Sequence, residues 1–254
     1  MYTESEGIIL RQVKATAGRR MVLMFSQKYG KISVGTSMNE SKTKAKSALA
    51  IRPFTYGKYE IYKNRDYYNL NGAETIKSFY SFGQDLDKFF AASLCLELTE
   101  KVLIEEVPQP RLFSILVDLM KAFERRKSSF DTLTLAYMVK LLKELGTMPV
   151  MDRCTVCGKQ ENLVGFSVRD GGAVCKECAA KNKESNSPDK LIFTPEFDIL
   201  RVIKYFSEKP ISAFEKVALN DRDAASLMSI LREYYSYHLD IGKLKSESTI
   251  SELK

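Results

Sequence analysis

The chain has 254 residues, 44% hydrophobic and 28% charged, with a net charge of +7; this is enough for one large or two modest globular cores. No apolar run approaches the roughly 18 residues of a membrane span, and the opening MYTESEGIILRQ, with early acids and no apolar h-region, reads as no signal peptide, so a cytoplasmic chain without membrane contact is expected. The charge is uneven: residues 1–80 hold 14 Lys/Arg against 6 Asp/Glu and 8 of the 13 tyrosines, while residues 81–254 hold 25 against 26, a combination that suits a nucleic-acid surface because cations meet phosphates and aromatic faces stack on bases.

Taken in chain order, EGIILRQVKA, RRMVLMFSQ and KISVGTSM are short β-branched or aromatic runs separated by the turn signals TAG and KYG. The second and third form a hairpin around Lys28-Tyr29-Gly30-Lys31. The polar NESKTKAKSALA, with Lys42, Lys44 and Lys46 at alternate positions, reads as a mobile loop, and two further strand runs follow, LAIRPFTYGKYEIYKN and RDYYNLNGAETI. Five short strands in about 75 residues match a Greek-key barrel of the OB-fold type. Alternate residues of a strand face opposite sides, so about half of the tyrosines belong to the core.

From residue 80 the apolar period changes. Leu86, Phe90, Leu94 and Leu98 mark one helix face, with Asp85 and Asp87 at its start. A second helix follows Pro108 and Pro110; its run LFSILVDLM is apolar nearly all round, which predicts a central position. A third opens at Asp131-Thr132, turns Leu133, Tyr137, Leu141 and Leu145 inward, and ends at Gly146 and Pro149. The segment 181–190, KNKESNSPDK, reads as polar and flexible, and two or three helices close the chain. The fold class is therefore α+β, with a barrel domain over 1–80 and a helical domain over 81–254 that carries a cysteine module at about 150–182.

That module holds four of the five cysteines as two Cys-x-x-Cys pairs, Cys154/Cys157 and Cys175/Cys178, with 17 residues between them. The spacing is that of a zinc ribbon. Each tight turn aims two sulfurs at one ion, and four thiolates close a tetrahedral Zn²⁺ site with no open position, so the predicted metal is structural. Gly158 and Gly171-Gly172 supply the turns; Val164-Gly165-Phe166 and Ala173-Val174 supply short strands. A redox dithiol needs only one pair; an iron–sulfur cluster is the other use of four cysteines. Cys95 reads as core. His238, the one histidine, lacks neighbours at ligand spacing; there is no phosphate-binding Gly-x-x-x-x-Gly-Lys-Ser/Thr loop, Gly-x-Ser-x-Gly or His-Glu-x-x-His. No catalytic apparatus is visible, and the chain reads as a non-enzyme.

A basic barrel opening EGIILRQVKATAGRRMVLMFSQKYGKI, a helical domain with an inserted four-cysteine module, and the closing YYSYHLDIGKLKS, in that order, resemble the RecO family of bacterial recombination mediators across essentially the whole chain. The resemblance implies binding of single- and double-stranded DNA in repair, annealing of complementary strands without ATP, partnership with RecR and the single-stranded-DNA-binding protein SSB, a functional link to RecA, and a place at the bacterial nucleoid. The barrel's expected DNA surface is Arg11, Lys14, Arg19, Arg20, Lys28, Lys31, Lys42, Lys44 and Lys46, with Tyr29 and Tyr56 as stacking groups. The resemblance also puts the SSB-tail site on the helical domain. A groove between the second and third helices is expected there, since the second, over 111–123, is too apolar to be all core, with Arg125, Arg126, Lys140 and Lys143 at the rim. An RNA- or ribosome-binding zinc-ribbon protein, a zinc-stabilised nuclease and a thiol oxidoreductase are the rival classes.

Overall fold

A computed structural model describes residues 2–14, 20–36, 49–65, 67–185, 187 and 189–246. It divides the chain into two compact units, residues 1–125 with 245–254, and residues 126–244.

The first unit begins with five strands: β1 (Tyr2–Lys14), β2 (Arg20–Ser26), β3 (Gly30–Thr36), β4 (Thr55–Lys63) and β5 (Tyr68–Ser78). They close into a barrel in the order β1-β2-β3-β5-β4, with β3 and β5 parallel through Val34↔Tyr68 and Gly35↔Asn69. This is the predicted OB-type barrel. Its interior is filled by the inward residues of each strand, among them Ile9, Val22, Met24, Ile32, Val34, Tyr59, Ile61 and Leu70. Tyr59 is fully buried, and its hydroxyl donates to the Ala50 carbonyl at 2.7 Å. The β2–β3 turn needs its glycine: Gly30 has φ +72°, and a Cβ there would lie 2.1 Å from the Val107 carbonyl oxygen.

Two helices complete this unit, α1 (Leu86–Val102) and α2 (Pro110–Arg125). Asp85 caps α1 by accepting from the Lys88 N–H at 3.0 Å. Helix α2 seals the outer face of the barrel, with Phe113 set edge-on to Phe25 at 5.4 Å. That is why β2 buries residues on both of its faces. The loop between the helices docks on β3, where the Glu106 N–H donates to the Lys31 carbonyl at 3.0 Å. The closing residues return to α1: Glu97 accepts from the backbone N–H of Lys245 at 2.9 Å and of Ser246 at 2.8 Å.

In the second unit, helix α3 (Phe130–Glu144) is followed by β6 (Leu163–Ser167), β7 (Gly172–Cys175), α4 (Lys176–Glu184), β8 (Ile192–Phe193), α5 (Ile199–Glu208) and α6 (Asp221–Leu239). Here the central helix is α3, buried on every side from Phe130 to Leu142 apart from Asp131. Helix α2, expected to be apolar all round, instead leaves the stripe Arg111, Ser114, Asp118 and Arg125 exposed, at the three-and-four spacing of one helix face. Gly146 ends α3 as predicted, with φ +72°. Its N–H and that of Thr147 return to the Lys143 and Leu142 carbonyls, a left-handed helix stop. The polar stretch 181–190 is helical as far as Glu184, because α4 starts from the second cysteine pair.

Candidate nucleic-acid interface and metal centre

Strand geometry decides which barrel side chains face outward. Lys28 is exposed on the β2–β3 turn. Arg20 opens β2 and lies in register with Thr36 of β3. Arg11 is exposed on β1, where its Nε lies 2.9 Å from both carboxylate oxygens of Glu100, and the Lys31 ammonium donates to the Glu100 carbonyl at 3.0 Å. These two cations thus have internal partners on α1. Tyr29 is half-buried, its ring 5.5 Å from that of Tyr68. Tyr56 is half-buried too; its ring lies 6.2 Å from Phe113 and its hydroxyl donates to Glu6. Burial first, and then Glu6, push that hydroxyl up to about 12. Lys14 is the last residue of β1; its side chain, and Arg19, Lys42, Lys44 and Lys46 altogether, lie outside the described residues.

Several outward groups escaped the sequence reading. Tyr67 is 50% exposed just before β5, and Tyr2 is 70% exposed, with its ring 4.9 Å from that of Tyr62. Lys63 lies over the Tyr68 ring at 4.9 Å and pairs with Glu106 at 3.2 Å. Strand parity finds Tyr67 and the Tyr62 ring that Tyr2 meets: with Tyr59 and Ile61 pointing in, Tyr62 must point out, and with Tyr68 and Leu70 pointing in, Tyr67, Asn69 and Asn71 must point out.

The four cations expected to rim one groove do different things. Arg125 is exposed on the last turn of α2. Arg126 is 7% exposed, donating from Nε to Ser128 O at 2.6 Å and from Nη1 to Phe214 O at 2.5 Å and Val217 O at 2.8 Å. Lys140 is 8% exposed, and it and Lys143 both donate to Ser207 O at 3.0 Å, where cations complement the C-terminus of α5. Burial holds the Lys140 ammonium below its ordinary value. Arg126 and Lys140 therefore serve the interior of the second unit. The apolar side chains of α2 are likewise buried, all but the half-buried Ile115, so that helix has no open apolar face to offer.

The cysteines converge as their spacing demands. The sulfurs of Cys154, Cys157, Cys175 and Cys178 all lie within 4.8 Å of one another, and Cys157 and Cys175 are 3.7 Å apart. Four thiolates at about 2.3 Å from one tetrahedral ion would stand about 3.8 Å apart, so the set fits a metal ion. Strands β6 and β7 pair antiparallel and hold the two knuckles together. Gly158 turns the first with φ +79°. A Cβ at Gly172 would lie 2.2 Å from the Val150 carbonyl oxygen, so the chain at Val150 can lie against the start of β7 only because that residue is glycine. Burial raises the Cys154 thiol, but backbone N–H groups of Cys175, Cys157 and Val156 outweigh it and bring it down to about 6; burial and the other three thiols push Cys178 up to about 12. The Cys154 sulfur thus sits in a nest of N–H donors suited to a thiolate. His238 ties the module to α6: its Nε2 lies 2.6 Å from the Val168 carbonyl oxygen, and its ring 4.3 Å from that of Tyr234.

Comparison with known proteins adds the following. Residues 1–79 match the family model described as Recombination protein O N terminal, and residues 83–248 the one described as Recombination protein O C terminal. The DNA repair protein RecO of Thermoanaerobacter sp. is 30% identical over 99% of this chain and 98% of its own length. That of Caldanaerobacter subterraneus is 28% identical over 94% of both, and that of Bacillus subtilis 26% identical over 100% of this chain and 96% of its own. No helix among the described residues is long and apolar enough to cross a membrane.

Proposed function

The chain belongs to the RecO family of DNA repair proteins, and on that premise we propose that it is a non-enzymatic mediator that binds single- and double-stranded DNA through its barrel and anneals complementary strands. The observation that carries this reading is a closed five-strand barrel coinciding with the part of the chain that holds its positive excess. Cations on two strands of DNA lower the repulsion between them, and base pairing is downhill, so no fuel or chemical step is required. The cations proposed to meet DNA are Arg11, Lys14, Arg19, Arg20, Lys28, Lys31, Lys42, Lys44 and Lys46, of which Arg11 and Lys31 already have partners on α1. Among stacking groups the exposed Tyr67 takes precedence over Tyr29 and Tyr56, whose rings already have internal contacts.

RecR and SSB are the proposed direct partners, loading RecA on SSB-coated DNA the proposed outcome, and the bacterial nucleoid the proposed place of work. The acidic SSB tail is assigned to the helical part of the chain, residues 81–254; of the four cations named for it, Arg125 and Lys143 are each exposed, and Arg126 and Lys140 are buried. Zn²⁺ is the proposed metal of Cys154, Cys157, Cys175 and Cys178. It would fill all four of its positions with sulfur and so act as a fold element.

The test is annealing of SSB-coated complementary strands with and without RecR, together with the salt dependence of binding to single strands. If about five phosphates are neutralised, log K against log salt has a slope near −3.5, and Arg19→Ala with Arg20→Ala flattens it. A slope near zero, or annealing that does not respond to this protein, overturns the reading.

A further inference from the structure

On the outer face of the barrel, β2, β3 and β5 place three residues side by side: Met21 is in register with Gly35, and Gly35 with Asn69. The middle residue has no side chain. Its backbone does not require glycine, for Gly35 lacks the positive φ seen at Gly30. A Cβ built on it would stand 3.0 Å from Asn69 Oδ1 and 3.6 Å from Met21 Sδ. Gly35 lies in the floor of a notch of about 510 Å³ whose rim includes Met21, Thr36, Tyr67, Asn69 and Asn71, within the roughly 300–1,000 Å³ of small-molecule sites.

The chemistry of the rim is specific. Asn69 and Asn71 project from the same face of β5, two residues apart. Each offers an amide, the side chain that matches the paired donor and acceptor on a base edge. Among the described residues neither side-chain amide makes a hydrogen bond. Tyr67, half exposed, supplies a flat aromatic face at the start of the same strand, and Met21 a polarizable sulfur. Among the described residues no carboxylate lines the notch. Arg20 stands in register with Thr36 at its edge, where a phosphate of the same strand would pass.

We propose that this notch takes one unpaired nucleobase, stacked on Tyr67 with its edge against Asn69 and Asn71. The inference rests on the DNA-binding reading above and deepens it. Neutralised phosphates alone would make binding indifferent to bases, whereas a seated base makes the protein distinguish a single strand with bases from one without.

Binding by fluorescence anisotropy to two single strands of equal length, one intact and one abasic throughout, separates the two ideas because the phosphate count is the same. The intact strand is expected to bind about fivefold or more tightly, the lower bound of one base–aromatic stack. Gly35→Val, which puts a side chain on the notch floor where it must displace the Asn69 amide and changes no charge, should bring the intact strand to the abasic level with an unchanged salt slope. Asn71→Ala, an exposed change that leaves the barrel core untouched, and Tyr67→Ala should do so in part. Equal binding of both strands by the unaltered protein overturns the notch and leaves the DNA-binding reading standing. A preference that survives Gly35→Val and Tyr67→Ala places the base elsewhere and overturns it too. Binding to neither strand overturns both.

Discussion

Replacing Arg126 with alanine should destabilise the second unit rather than disturb a binding surface. The guanidinium makes three bonds of 2.5–2.8 Å, to the carbonyls of Ser128, Phe214 and Val217, and so joins the start of α3 to the segment leading into α6. A hydrogen bond with one charged partner contributes about 1.5–3 kcal/mol. Two of the three share one nitrogen, so the lower end applies, and the loss comes to roughly 3–5 kcal/mol, in the range for breaking a buried polar cluster. With a urea slope near 2 kcal/mol per molar, the unfolding midpoint of this unit should fall by about 2 M. Arg126→Lys, which can restore one bond, should fall part of the way, and Arg125→Ala, on an exposed turn, should move by less than about 0.5 kcal/mol. Urea titrations followed by circular dichroism make the comparison. If Arg126→Ala unfolds within about 0.3 M of the unaltered protein and loses affinity for an acidic peptide instead, the structural role given to this arginine is wrong.

Three other outcomes are expected. Fresh, reduced protein should carry one metal ion per four-cysteine set, and Cys175→Ser should lose it and expose residues 150–180 to proteolysis, since metal binding supplies on the order of 10 kcal/mol of folding energy in small zinc modules; metal analysis that finds neither zinc nor iron would refute this. Burial raises the Glu97 carboxyl, but the N–H groups of Ser246 and Lys245 bring it below its ordinary value. A depressed carboxylate contributes above its unfolded pKa of about 4.3 and loses that contribution as pH falls through the folded value. Residues 245–246 should therefore be protected from hydrogen exchange at pH 7 and released below about pH 4, with Glu97→Ala releasing them at pH 7; equal protection factors in the variant would count against the clamp. Gly30→Ala puts a Cβ 2.1 Å from Val107 O at a φ of +72° and should cost about 2 kcal/mol or more, read from thermal unfolding.

The barrel and the cysteine centre were legible because each depends on short-range pattern. Strand parity and turn signals recur within ten residues, and a Cys-x-x-Cys pair is local by construction. The order of α2 and α3 in depth was not legible. Helix α2 looks the more apolar, yet its polar residues fall on one stripe. Helix α3 carries the polar Thr132, Thr134 and Lys140, the last expected at an exposed rim, and all three are buried with partners. Thr134 donates to the Phe130 carbonyl at 3.2 Å, Thr132 accepts from the Leu219 N–H at 3.1 Å, and Lys140 finds Ser207. Two of those three partners lie more than 60 positions away, and no window of sequence contains them. The same holds for Arg11 and Lys31, whose partner Glu100 lies on α1, and for His238, whose carbonyl partner is 70 residues upstream. The outward notch at Gly35 escaped because one glycine in a strand run reads as a weakness until the residues beside it on two other strands are known.

The clamp between Glu97 and the closing residues also sets an order of events during synthesis. The carboxylate of Glu97 leaves the ribosome 148 residues ahead of the Lys245 N–H it will hold. At about 5–20 residues per second that is an interval of roughly 7–30 s. Throughout it the barrel and its two helices exist without their last piece, while all of residues 126–244 emerges and folds. A nascent chain stalled before Lys245 would thus present a first unit with an unfilled carboxylate, and only a chain extended through Ser246 can supply the two amides that satisfy it.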